Sequence, residues 1–101
     1  MKSDVVYEDK ELVAFNDINP QAPVHALIVP RKHIESLQDM KPEDAALMAK
    51  MMLIVKKIAE KYKLTDTGYR LVINHGINGG QTIPHLHLHI LGGRRMTWPP
   101  G

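Results

Sequence analysis

Three histidines alternate with apolar residues in the segment 85–91, which runs His-Leu-His-Leu-His-Ile-Leu. Successive side chains of an extended strand point to opposite faces, so this alternation places the three imidazoles on one face and the aliphatic side chains on the other. The aliphatic face is expected to belong to the core. Histidine is not a favoured strand residue, and three of them in strict alternation indicate that the imidazoles have a chemical use.

Two kinds of chemistry fit this histidine row better than a merely solvated sheet surface does. Two of its imidazoles could bind zinc together with His25 or an outside group. However, the Cα atoms of His85 and His89 are about 13 Å apart at 3.3 Å per residue, too far for the whole row to bind one ion. The chain has no cysteine, and we expect no nearby Asp or Glu to complete a ligand set.

The other chemistry is nucleophilic and acid–base catalysis by the histidines themselves. Neutral imidazole is a good nucleophile at pH 7, and its pKa near 6.5 suits proton transfer. Neighbouring histidines of the row, with Cα atoms about 6.6 Å apart, can act on one substrate. We therefore expect catalysis without a metal or other cofactor, and the metal site is the second interpretation.

A glycine-rich stretch, residues 76–82, precedes the histidine row. Its backbone N–H groups, the amide of Gln81 and the hydroxyl of Thr82 are groups that bind anions. A Gly-Gly pair alone indicates only a turn. Next to three candidate nucleophiles, however, the stretch predicts a phosphate-binding loop.

The elements that must position these residues follow from shorter patterns. A long helix is predicted from about 42 to 63, where Pro42 suits a first helical position and apolar residues recur every three or four positions. Strands are predicted at 5–7, 12–15, 26–29, 70–74 and 85–91. Five strands with one long helix between the third and fourth predict an α+β domain, with a five-stranded antiparallel meander as its sheet.

Composition and charge exclude several classes of protein. A net charge of +2, spread along 101 residues, is too weak for a nucleic-acid surface, and the basic run 93–95 is expected to be a solvated turn. No stretch approaches the roughly 20 apolar residues of a membrane span, and the N-terminus lacks the apolar stretch of a signal peptide. We expect one domain, residues 1–101, located in the cytoplasm. A chain of this size buries only about 60–70% of its unfolded surface, so a partner subunit would help to stabilise it.

The chain resembles the histidine triad family over essentially its whole length. The row 85–91 matches the His-x-His-x-His signature, and the segments 15–23, 25–33 and 79–82 also fit the family pattern. The terminal Trp98-Pro99-Pro100-Gly101 is similar to the nucleoside phosphoramidase branch, the histidine triad nucleotide-binding proteins. The resemblance implies a homodimer whose two five-stranded sheets join into a ten-stranded sheet. It also implies cleavage of a purine nucleoside 5'-monophosphate such as AMP from a phosphoramidate, through a covalent nucleotidyl-histidine.

The resemblance further implies a role for each catalytic residue. His87 would be the nucleophile, and His89 would bind the phosphate and assist proton transfer. His25 and His85 would orient and polarise the triad. Thr82 would form a hydrogen bond near the leaving group, where the family often has serine.

The substrate-binding residues are implied in the same way. Asp17 would hold the ribose hydroxyls, with Phe15 and Ile18 against the base. Contacts with phosphate and ribose would come from Asn74, Gly80, Gln81 and Thr82, together with His87 and His89. Without the resemblance, Asp17 and Asn74 would be assigned to turns, and His25 to the start of a strand.

The sequence departs from the family pattern in two places. Pro84 stands where the branch often has an aromatic residue, and it removes one backbone donor. The family usually has a further dozen residues before the strand at 5–7, so we expect the base to be held loosely and the nucleobases to be poorly distinguished. Two other functions stay open, namely a nucleotide-binding scaffold with vestigial catalysis and a dinucleoside polyphosphate hydrolase or nucleotidyl transferase.

Overall fold

The computed structural model describes residues 4–101. Residues 1–3, part of the N-terminus predicted to lack a signal peptide, lie outside this range. Five strands and two helices follow one another along the chain: β1 Val5–Glu8, β2 Leu12–Asn16, β3 Val24–Pro30, α1 Ala45–Lys61, β4 Tyr69–Val72, α2 Gly76–Gly79 and β5 Leu88–Gly92. Two short 3-10 turns, Leu37–Asp39 and Pro42–Asp44, precede α1. Within residues 4–101 no helix is both long and apolar enough to cross a membrane.

All five strands form one antiparallel sheet in the order β1-β2-β3-β5-β4, which confirms the predicted α+β fold. The meander covers β1 to β3, and β5 lies between β3 and β4. Leu88 and Ile90 of β5 are almost fully buried, whereas Leu71 of β4 is 36% exposed. The more apolar strand therefore occupies the interior of the sheet, and β4 forms one of its edges.

Helix α1 packs on one face of the sheet and leaves the other face to the histidines. The core between helix and sheet contains buried side chains from both sides: Leu12, Ala14, Ala26, Ile28, Leu88 and Ile90 from the strands and Met51, Ile54, Val55, Ile58 and Ala59 from α1. Cross-strand pairing aligns Phe15 with Leu27 and Leu27 with His89. Because side chains alternate along each strand, these three residues lie on the face opposite α1.

Strand β5 begins later than the predicted strand at 85–91. Its first residue is Leu88, so His85 and His87 lie in the extended segment that leads into it. Leu86 remains buried, and its N–H donates to the carbonyl of Ile34 at 2.6 Å. The alternation of the row therefore survives outside the strand.

Candidate catalytic site

The pairing of β3 with β5 brings His25 and His89 together on the open face. The Nε2 atom of His25 lies 2.9 Å from the Nδ1 atom of His89, and the two rings are tilted at 43°. An Oδ2 atom of Asp17 lies 3.5 Å from the same Nε2. The loop from Asp17 is closed onto β3, because the Asp17 N–H donates to the His25 carbonyl at 2.8 Å.

A backbone contact decides where the protons of this histidine pair lie. The N–H of Gln21 donates to Nδ1 of His25 at 3.0 Å, so Nδ1 is an acceptor and the His25 proton is on Nε2. The Nε2–H of His25 donates a hydrogen bond to Nδ1 of His89. Nδ1 of His89 is therefore an acceptor, and the proton of His89 is on its Nε2. The Nε2 of His89 is buried and has no hydrogen-bond partner among residues 4–101. It is thus a donor available to an anionic group.

His87 has the opposite arrangement of its two nitrogens. Its Nδ1 lies 2.7 Å from the main-chain oxygen of His85, so Nδ1 carries the proton and Nε2 keeps its lone pair. The ring of His85 is itself fixed, since its Nε2 lies 2.8 Å from the carbonyl of Pro30 at the end of β3. The His87 and His89 ring centroids are 4.9 Å apart. A candidate nucleophile therefore lies beside a candidate donor.

Burial controls the charge of the histidine pair. Burial lowers the pKa of His25 below the usual 6.5, and the nearby Asp17 opposes this only partly. Burial also lowers the pKa of His89, and repulsion from His87 and His25 when these are protonated lowers it further. Both imidazoles are accordingly neutral at pH 7, which agrees with the proton positions above.

These lowered pKa values predict that stability falls as the pH falls from about 7 to about 5. In the unfolded chain histidine takes up protons below about pH 6.5, whereas folded His25 and His89 stay neutral to lower pH. The unfolded state binds more protons in this window, so the free energy of unfolding decreases. Urea titrations at the two pH values measure this change. His89→Gln is expected to reduce the pH dependence and the exposed control His75→Gln to retain it; equal stability of the parent protein at both pH values would contradict the prediction.

One expectation about the metal site is wrong. The structure places a carboxylate beside the histidines, because side-chain atoms of Asp17, His25 and His89 lie within 4.8 Å of one another and form a possible ligand set. The residue is far from the row in sequence, and the β2–β3 loop brings it there. The pair His25–His89 is nevertheless joined by a hydrogen bond, which a metal ion bound between the two nitrogens would have to replace.

Asp17 lies in the turn that its sequence context predicts and also faces His25. Its Oδ1 accepts the N–H of Asn19 at 2.8 Å, which is the Asx turn expected from its sequence context. Its Oδ2 lies 3.5 Å from Nε2 of His25, a contact that was not predicted, and its role in holding the ribose stays a prediction. Ile18, by contrast, is 75% exposed.

An apolar cavity of about 240 Å³ adjoins the candidate nucleophile His87. It is lined by Phe15, Leu27, Val29, Ile83, His85 and His87. Phe15 was predicted from the sequence to contact the base, whereas Leu27, Val29 and Ile83 were not predicted to belong to the site. Ile18 does not line the cavity. Period-two alternation in β3 was the available signal, since it places Leu27 and Val29 on the face opposite the buried Ala26 and Ile28.

Hydrogen bonds from the Gln81 side chain to the main chain stabilise the glycine-rich loop. It contains the short helix α2, which ends at Gly79 and is capped by Gly80 with a φ of 81°. The Gln81 side chain accepts the N–H of Gly76 at 3.1 Å and donates to the carbonyls of Glu35 and Ile83 at 2.7 and 3.1 Å. Because the Gln81 amide is occupied by the protein, it fixes the loop shape.

The other residues that were predicted to bind substrate from the loop are near Gln81 in sequence. Thr82 is exposed and directly precedes the cavity residue Ile83, whereas Asn74 is half-buried just before the loop. The structure thus brings together the triad, His25, Asp17 and Phe15. Gln81 and Thr82 line a separate pocket of about 330 Å³, which shares Ile83 with the apolar cavity.

Comparisons with known proteins agree on one family. The HIT domain family profile matches residues 1–96. An uncharacterized HIT-like protein from Synechococcus elongatus is 52% identical over 99 residues, which cover 98% of this chain and 86% of the relative. A crystal structure of a HIT family hydrolase from Legionella pneumophila is 50% identical, with a TM-score of 0.97 over 100% of this chain and 90% of that one. A histidine triad nucleotide-binding protein from Candida albicans is 28% identical, with a TM-score of 0.80 over 98% and 76% of the two chains.

Proposed function

The chain belongs to the HIT domain family, and we propose that it is a hydrolase that cleaves purine nucleoside 5'-monophosphates from phosphoramidates through a covalent nucleotidyl-histidine. The observation that carries this proposal is the hydrogen bond from His87 Nδ1 to the His85 carbonyl, which leaves Nε2 as a nucleophile. The relatives are named as hydrolases and as nucleotide-binding proteins, which supports this direction.

Two displacements at phosphorus give the net reaction. In the first, the Nε2 lone pair of His87 forms a bond to phosphorus while the substrate P–N bond breaks. The electron pair of that bond leaves with the amine, which takes up a proton from solvent. In the second, water attacks the same phosphorus and releases a proton to solvent, and His87 departs with its bonding pair. The His85 carbonyl accepts a hydrogen bond from the Nδ1–H of His87 throughout and stabilises the positive charge of the nucleotidyl-imidazole.

The surrounding groups supply binding and charge stabilisation. The Nε2–H of His89 would donate to a phosphate oxygen, an interaction that is strong in a buried setting. Thr82, Gly80 and Asn74 would contact the phosphate and ribose from the loop side, and Asp17 the ribose. A purine ring would occupy the apolar cavity against Phe15. No cofactor is needed for this scheme.

A substrate panel tests the proposal. Adenosine, guanosine and uridine 5'-phosphoramidates and a dinucleoside tetraphosphate are compared by steady-state kcat/KM. The phosphoramidates should be turned over fastest. The three phosphoramidates should differ from one another by less than about tenfold, because apolar walls offer no hydrogen bonds that distinguish one base from another. Faster cleavage of the tetraphosphate would instead indicate a dinucleoside polyphosphate hydrolase, and nucleotide binding without turnover would indicate a scaffold.

Activity is expected to be independent of metal. Exhaustive treatment with EDTA should leave phosphoramidate turnover nearly unchanged, because the proposed nucleophile and donor are imidazole nitrogens. The measurement is kcat before and after treatment, with a zinc-supplemented sample as the control. Loss of activity that zinc restores would show that Asp17, His25 and His89 bind a catalytic ion.

We also propose that the protein is a homodimer joined through strand β4. This strand forms an edge of the sheet, and its Tyr69 and Leu71 are 39% and 36% exposed. An exposed edge strand with apolar side chains is suited to pairing with another strand. A second copy paired along β4 would continue the sheet to ten strands.

Light scattering at micromolar concentration should therefore give about twice the 11.4 kDa chain mass. Leu71→Lys should shift the protein toward the monomer, because a lysine on an edge disfavours strand pairing. The matched control is Val5→Lys on the opposite edge strand β1, where Val5 is 48% exposed. A parent protein that is monomeric and fully active, or equal dissociation by both variants, would contradict the β4 dimer.

A further inference from the structure

The turn that follows β5, residues 93–95, contacts the loop between β2 and β3; it is called the corner below. The Nε–H of Arg94 donates to the carbonyl of Gln21 at 3.0 Å, and the same guanidinium donates to the carbonyl of Arg95 at 3.1 Å. Gly93, with a φ of 89°, lies against Pro23, so close that a Cβ at position 93 would be 2.8 Å from the Pro23 Cβ. The corner and the loop are thus in contact at two places.

The residue held by Arg94 is the one that fixes the histidine protons. The carbonyl of Gln21 accepts from Arg94, and the N–H of Gln21 donates to Nδ1 of His25. The Gln21 side chain donates within the loop, to the carbonyl of Asn19 at 3.0 Å. Arg94 is thus connected to the histidine pair through one residue of main chain.

We propose that Arg94 is a positioning residue that holds Gln21 in place, so that the Gln21 N–H keeps the protons of His25 and His89 on their Nε2 atoms. The basic run 93–95, expected from sequence to be a solvated turn, then has a role in the site. The inference goes beyond the proposed function, and only its activity readout rests on that function.

The chemical consequence follows from counting protons along the pair. If the Gln21 N–H moves away, Nδ1 of neutral His25 is free to carry the proton, and its Nε2 becomes an acceptor. The hydrogen bond to His89 then survives only with the proton on His89 Nδ1. Nε2 of His89 would present a lone pair where a phosphate oxygen requires a donor. A shift at the loop would therefore reverse the polarity of an atom in the site.

Nitrogen-15 NMR of the histidine rings, recorded without substrate, tests the inference directly. In the parent protein, His25 and His89 should each show a protonated Nε2 and an unprotonated Nδ1. In Arg94→Gln, the two ring nitrogens of His25 should shift toward each other, as expected for exchange between tautomers. Arg94→Lys, which keeps one donor, should restore part of the parent pattern, and Arg95→Gln should retain all of it. Unchanged His25 tautomers in Arg94→Gln, or an Nδ1 proton in the parent, would overturn the inference.

Kinetics supply the second readout. Arg94→Gln should lower kcat about tenfold with little change in KM, as a small misplacement of a reacting group does. Arg95→Gln should leave both constants unchanged, and thermal melting should confirm that both variants are folded. A fall in kcat without a change of tautomer would assign Arg94 a different role and overturn the inference. If the parent shows no phosphoramidase activity, the NMR result still decides the inference while the proposed function fails.

Discussion

Turnover of adenosine phosphoramidate by the His87→Ala variant is expected to fall by at least a few orders of magnitude. Without the imidazole there is no group to form the covalent intermediate, and losing a nucleophile removes most of the catalysis that its partners support. The partners would remain in place, because the contacts of His25 with His89 and with Gln21 do not involve His87. The loss should therefore appear in kcat, with nucleotide binding largely retained.

Two measurements check this result. Steady-state kinetics compare His87→Ala with His75→Ala, a histidine that is exposed at the start of α2 and makes no capping hydrogen bond through its side chain. The control should match the parent protein. Rapid quench of the parent with substrate, followed by mass analysis of peptides, should locate a nucleotide adduct on His87. An adduct on His85 or His89 would show that the nucleophile is misassigned.

The sequence predicted part of the arrangement around the proposed nucleophile, His87. The alternation at 85–91 predicted a shared face for the three histidines, and the buried Leu86, Leu88 and Ile90 agree with it. The same pattern could not predict which ring nitrogen carries a proton. That depends on the main-chain oxygen of His85, which is free because β5 begins only at Leu88.

The fold was predictable because its signals are local and mutually consistent. The period of α1 and the short apolar runs of β1, β2 and β3 each identify an element without reference to the others. The position of β5 between β3 and β4 could not be predicted from local patterns. It depends on long-range pairing, which composition and periodicity do not encode for any single strand.

The contacts that assemble the site are long-range in the same way. Asp17 and Gln21 are remote from the histidine row in sequence. The turn predicted for Asp17 is present, but its contact with His25 was not predicted. Sequence patterns identify such loops but not what their backbone N–H groups face. This is why the donor to His25 and the anchor at Arg94 became visible only with the structure.

Removing His89 should have the second-largest effect on activity. His89→Ala is expected to lower kcat by about 10²–10³, the usual loss when one preorganised donor to a developing anionic charge is removed. The reason is the buried Nε2–H, which no group within residues 4–101 uses and which a phosphate oxygen would accept. His89→Gln keeps an amide N–H and should recover part of the loss.

The neutral state of His89 makes a sharper prediction about its role. Burial and the neighbouring histidines lower its pKa, and the proton that His25 Nε2 donates to its Nδ1 leaves no place for a second proton. A neutral imidazole donates a hydrogen bond but gives up its remaining proton only with difficulty. His89 should therefore stabilise charge on the phosphoryl oxygens, whatever group is leaving. Kinetics of His89→Ala with an amine and with a phenol as leaving group should show similar losses, whereas a loss confined to the amine would make His89 the acid that protonates it.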